Sequence, residues 1–280
     1  AHPGSVIKVI SDIANRIESK PEMLAAKFML LSIPWESLDS DKLAQLLPVF
    51  NITATYHESY AATIHALEYL VRKIDNAHVA ECVQLTLSSV APERILACVS
   101  HEGISNSVKE DWFSRALNSS LGQAVNAQIY LLARCDELEL NDGSTSLLDS
   151  IEQLIEASCN DEVSSNIIFA ALFSQLNFWV TNHMPFYKSH MESALVNNDV
   201  PGHIGSVWGL SNLNIANRQT WRSLSEVWLK FSVAPCEELS KPYERIRKYC
   251  LFSSIRFDEK ESRSKLLSHF GRTPALVSEA

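Results

Sequence analysis

Two twelve-residue segments set 37 residues apart constrain this chain more than any other feature. Ile167 to Phe178 reads Ile-Ile-Phe-Ala-Ala-Leu-Phe-Ser-Gln-Leu-Asn-Phe, and Ile204 to Ile215 reads Ile-Gly-Ser-Val-Trp-Gly-Leu-Ser-Asn-Leu-Asn-Ile. Both open on Ile and close on Leu-Asn-apolar. Ser174 matches Ser211, and Ala170 and Ala171 match Val207 and Trp208. Self-similarity at such a period is the mark of a helical array. A single helix pair cannot cover its own apolar face, so neighbours must stack to make it stable.

Apolar spacing continues the pattern on both sides. Helix pairs are expected at Glu22–Ile33 with Lys42–Phe50, Glu58–Ile74 with His78–Ser89, and Glu93–His101 with Val108–Leu117. Leu121–Leu140 with Ser146–Ala157, Val163–Trp179 with Phe186–Val196, and Gly202–Ile215 with Arg218–Phe231 follow. Asp39-Ser40-Asp41 is placed to cap a helix start. Asn141-Asp142-Gly143 reads as a turn. Alanines and glycines inside the first helices, among them Ala170, Ala171, Gly205 and Gly209, favour close helix approach. With only 8 Gly and 10 Pro in 280 residues, a turn-rich β-sandwich is disfavoured. The expected fold is all-α: a right-handed solenoid of about six to seven irregular helix pairs (an α-α superhelix) over 1–255, with a basic end and a loose tail over 256–280.

The run Val-Trp-Gly-Leu-Ser-Asn-Leu-Asn-Ile at 207–215 resembles the core motif of octotricopeptide-type helical repeats. It is also similar to the helical regions of FAST-kinase-like organellar proteins. Trp208, Leu210 and Leu213 match the motif's Trp and two Leu. Gly209 and Ser211 stand where Ala is usual, Asn214 where Gly is usual, and the copy at 167–178 has Ala171 in place of Trp. The resemblance covers about 120–232. It implies a mitochondrial or plastid role in RNA stability, editing, translation or ribosome assembly. No segment matches the RAP domain that ends many members, so the resemblance implies no nuclease activity here.

Charge is unevenly spread. Residues 241–272 carry a balance of +5, whereas residues 1–240 carry −13. An acidic body argues against broad binding to nucleic acid, which rests on Lys and Arg neutralising phosphates. The basic end is the exception. Lys241, Arg245 and Lys248 recur at helical spacing, Tyr249 lies close by, and Arg247 and Arg256 add charge. Cations beside an aromatic ring can hold a single strand and stack a base. A solvated charged face that caps the array, and a face that docks an acidic protein, are the competing readings.

Chemistry is not announced anywhere. His57 and His65 share a helix face with Glu58 or Glu68, but no H-E-x-x-H or C-x-x-C occurs. Asp136-Glu137 and Asp161-Glu162 are adjacent pairs that point in different directions from a helix. Glu162 reads as a helix cap. The six cysteines read as free buried thiols of a reducing compartment. No catalytic residue, metal or cofactor is expected, and no run is long enough for a membrane span. The expected function is a non-catalytic subunit of a mitochondrial RNA-processing or ribosome-assembly complex. Its partners would be protein subunits, with single-stranded RNA at the basic end. A protein-only scaffold of the HEAT or tetratricopeptide kind is the alternative.

Overall fold

The structure is a computed structural model that describes residues 8, 9, 12, 30, 38–101, 110–213, 217–223, 239–257 and 264. Among these residues there are helices and no strand, so the chain is all-α. In chain order they are α1 (Ser40–Ala44), α2 (Leu47–Thr53), α3 (His57–Lys73), α4 (Val79–Ser89) and α5 (Pro92–His101). Next come α6 (Trp112–Asn118), α7 (Ser120–Glu137), α8 (Asn141–Ser158), α9 (Glu162–Ser174) and α10 (Leu176–Asn182). Three abutting pieces, Met184–Phe186, Tyr187–Met191 and Glu192–Val196, form α11, whose middle piece is a π-helical turn. Finally α12 is His203–Ser211 and α13 is Ser240–Arg256. The expected helix Glu22–Ile33 and the tail beyond Phe257 lie outside the described residues, apart from Leu30 and Ser264.

The chain divides into two compact units, one from 1–104 and 117–159, the other from 105–116 and 160–280. The first is built around α7. Every residue from Ser120 to Ile129 is buried, as expected of a helix enclosed by neighbours. α3, α4, α5 and α8 all pack on it. Ser119 caps its start, accepting from the amide of Gly122 at 3.2 Å. Near its other end the Arg134 guanidinium donates to the Ile74 carbonyl and to Asn76 Oδ1, and so caps α3. Tyr60 donates to the Ser89 carbonyl at 2.7 Å and ties α3 to the end of α4.

Two expectations in this unit are corrected. Lys42–Phe50 is two helices, because Pro48 can open a helix but cannot extend one. Asp39 does cap α1, accepting from the Lys42 amide at 3.0 Å. The reversal after α7 is made by Leu138, Glu139 and Leu140, not by Asn141-Asp142-Gly143, which forms the first turn of α8. Glu139 takes the left-handed conformation (φ 56°), and the Leu140 amide returns to the Cys135 carbonyl at 2.8 Å. A Cβ on Gly143 would sit 3.0 Å from Cys135 Sγ, a tight contact that the sulfur would have to relieve by a few tenths of an ångström.

The second unit is built on α9 and α12, the two helices that carry the similar segments. They lie against each other with backbones in contact. A Cβ on Gly205 would fall within 2.6 Å of Asn166 Cα, and one on Gly209 within 2.9 Å of Phe173 Cβ. Glycines four apart share one helix face, so this face is bare backbone. Gly202 opens α12 at φ 85°, under the Phe169 ring. The expected helix Val163–Trp179 bends by 68° between α9 and α10. Neither Gly nor Pro marks the bend. The Gln175 amide turns back to Leu172 O at 3.1 Å, and the Ser174 hydroxyl donates to Ala171 O at 2.7 Å, which ends the ladder. Asp161, not Glu162, is the cap of α9.

No helix among the described residues is long and apolar enough to cross a membrane.

Candidate nucleic-acid interface

α13 forms because two periodic patterns interleave along it. Leu239, Tyr243, Ile246, Cys250 and Ser253 are buried, at steps of four and three. Pro242 lies in the first turn, where a missing N–H costs nothing. The buried row packs on α12 within the second unit. The opposite row is Lys241, Arg245, Lys248, Phe252 and Arg256, again at steps of four and three, and all five are exposed. At 3.6 residues per turn these positions form one stripe along the helix.

Five of the six residues singled out from sequence fit this face. Lys241, Arg245, Lys248 and Arg256 lie on the stripe, and half-buried Tyr249 lies at its edge. Arg247 does not belong to it. Two residues on from Arg245, it is turned about 200° round the axis and is half-buried. Arg245 is anchored as well as exposed. It donates to Asn212 Oδ1 at 3.0 Å, and Asn212 in turn donates to the Trp208 carbonyl at the end of α12 at 2.9 Å. The guanidinium has five donors, so one contact to Asn212 leaves it able to bind an anion. Lys248 pairs with Glu244 at 2.6 Å, and that hydrogen bond holds the Glu244 carboxyl below its ordinary range. Both side chains are exposed, so exchanging the carboxylate for another anion costs little. The Arg256 guanidinium lies 5.7 Å from the centre of the Phe257 ring.

Sequence reasoning missed Phe252, which is 64% exposed. The signal was present, because Phe252 is the position four after Lys248 and four before Arg256.

Of the histidine and carboxylate candidates, His65 and Glu68 join a polar layer inside the first unit. His65, Glu68, Tyr69 and Arg72 on α3 face Gln123 of α7 around a cavity of about 190 Å³. Gln123 Nε2 lies 2.7 Å from His65 Nδ1 and also donates to the Leu117 carbonyl. Arg72 donates to Glu68 at 2.6 Å and lies 4.5 Å over the Tyr130 ring. Burial pushes the Glu68 carboxyl above its ordinary value, against the pull of Arg72. Each member is held by another member, as in a satisfied core network. Among the described residues no three His, Cys, Asp or Glu side chains are grouped to hold a metal. His57 and Glu58 have side chains outside what is described. A larger cavity, about 450 Å³, lies between α4 and the α7–α8 reversal, with Glu139 and Asp142 as its charged lining. Two carboxylates there do not suit a polyanion.

The thiols are more varied than expected. Cys82, Cys135 and Cys250 are buried, Cys98 is half-buried, and Cys159 is exposed. Cys236 lies outside the described residues.

No protein-family model, no curated protein and no solved structure matches the chain.

Proposed function

We propose that this chain is a non-catalytic helical-repeat subunit of a mitochondrial RNA-processing complex, acting in editing, RNA stability or ribosome assembly. In this reading the helices form a right-handed solenoid whose faces dock protein partners. The basic end makes the RNA contact. The observation that carries it is the exposed row Lys241, Arg245, Lys248 and Arg256 on a helix of an otherwise acidic chain. The Trp208 motif and the contact of α9 with α12 support the helical-repeat part. Binding to RNA by the chain alone is weak, because few cations are offered and the net charge is −9, and it falls with salt in proportion to the number of phosphates contacted.

A protein-only scaffold remains the second reading, favoured by the balance of −13 over residues 1–240. Affinity purification of the tagged full-length protein from its native source, with and without ribonuclease, separates the two. The proposal expects mitochondrial RNA-processing proteins as partners, some of them released by ribonuclease. Partners that all persist and include no RNA-handling protein would leave only the scaffold.

A further inference from the structure

Phe252 is the most exposed large apolar side chain among the described residues. A lone exposed apolar residue is ordinary. This one is in phase with four cations, with Lys248 one turn before it and Arg256 one turn after. Residues four apart on a helix have Cβ atoms about 5–6 Å apart, so the ring is bracketed by positive charge on both sides. Each nucleotide of a single strand offers one anion and one flat ring. A stripe that alternates cations with an aromatic matches both, whereas an acidic polypeptide would use the cations and leave the ring unmatched.

We infer that Phe252 is a stacking platform for one base of single-stranded RNA, with Lys248 and Arg256 holding the phosphates on either side. This rests on the RNA-contact reading and adds the group that makes the contact depend on bases as well as on charge. Lys248 exchanges Glu244 for a phosphate at little cost. Arg245, fixed by Asn212, sets the strand along α13. Sequence preference is weak, because every base has a π-face.

The test measures binding of the full-length chain at low ionic strength to a short labelled oligouridylate and to the same strand with abasic sites. Phe252→Ala, Phe252→Trp and the double variant Arg245→Gln/Lys248→Gln are compared with wild type. Phe252 is exposed, so its removal leaves the fold intact, which circular dichroism checks. Phe252→Ala is expected to bind oligouridylate about tenfold more weakly, to bind the abasic strand as wild type does, and to keep the wild-type salt dependence. Phe252→Trp retains affinity. The double variant weakens both strands and flattens the salt dependence. If Phe252→Ala binds oligouridylate as wild type does while the double variant is weakened, the platform is wrong and the RNA contact stands. If wild type binds neither strand, or the double variant binds as well as wild type, the RNA contact itself fails. Binding of polyglutamate with the same dependence on Phe252 also overturns the platform, in favour of a protein partner.

Discussion

The amide of Gly205 donates to the side-chain oxygen of Asn166 at 2.9 Å, and the backbone of Asn166 occupies the place where a Cβ on Gly205 would go. This pair fixes the approach and the register of α12 on α9. Alanine in place of glycine normally gains about 1 kcal/mol in a helix. Here the obstacle is backbone, which cannot turn aside, so overpacking wins. Gly205→Ala is expected to destabilise the chain by ~3 kcal/mol, and Gly209→Ala similarly. Asn166→Ala removes the acceptor of a buried amide and costs about 1–3 kcal/mol. Urea unfolding of each variant checks this. A stability gain in Gly205→Ala would refute the close contact.

Glu139 adopts a left-handed backbone at the end of α7, where helices usually place glycine. The strain is about 1–2 kcal/mol for a side chain with a Cβ, partly offset by the greater entropy that glycine loses on folding. Glu139→Gly is expected to raise stability by about 0.5–1 kcal/mol, read as a higher urea midpoint at unchanged slope. Glu139→Val lowers it.

Burial raises the Glu68 carboxyl above its ordinary value of 4.5, and the Arg72 ion pair only partly offsets that. A raised acid contributes stability that is full below the unfolded pKa and lost as pH rises through the folded one. Glu68→Gln keeps an acceptor for Arg72 and removes the titration. Relative to wild type, the variant is expected to gain stability as pH rises from about 4 to 7. A difference that stays constant, or that moves the other way, would contradict the burial of a charged Glu68.

Cys82 is pushed up to about 12 by burial, and the buried Cys135 and Cys250 are raised for the same reason. Thiolate is the reactive form, so these three stay inert in the native chain. Cys159 is exposed. Native labelling with a thiol reagent at neutral pH should modify Cys159 quickly, and Cys159→Ser should remove that equivalent. Cys82, Cys135 and Cys250 react only on unfolding. Rapid native modification of Cys82 would contradict its burial.

Helix content and several boundaries were legible because they follow from local rules. The period near 3.6 marked α3 and α4 to within a residue at each end, and Asp39 announced its own cap. Small residues at 170, 205 and 209 announced a close approach. The basic face was legible as charge at helical spacing, except that Arg247 lies off the stripe and Phe252 lies on it. Both follow from reading charge and aromaticity without the rotation of the helix.

Sequence alone determined that the chain is helical, that its segments at 167–178 and 204–215 are alike, and that cations gather at one end. It did so because helix periodicity, glycine and charge are properties of neighbours along the chain. Tertiary structure decided the rest. α3 packs chiefly on α7, two expected pairs further on, because α7 is enclosed on every side from Ser120 to Ile129. Arg134 caps α3 across 60 residues. His65, Glu68 and Gln123 form one network only because α3 and α7 meet. Such outcomes depend on which surfaces are brought together in space, and no local pattern encodes them.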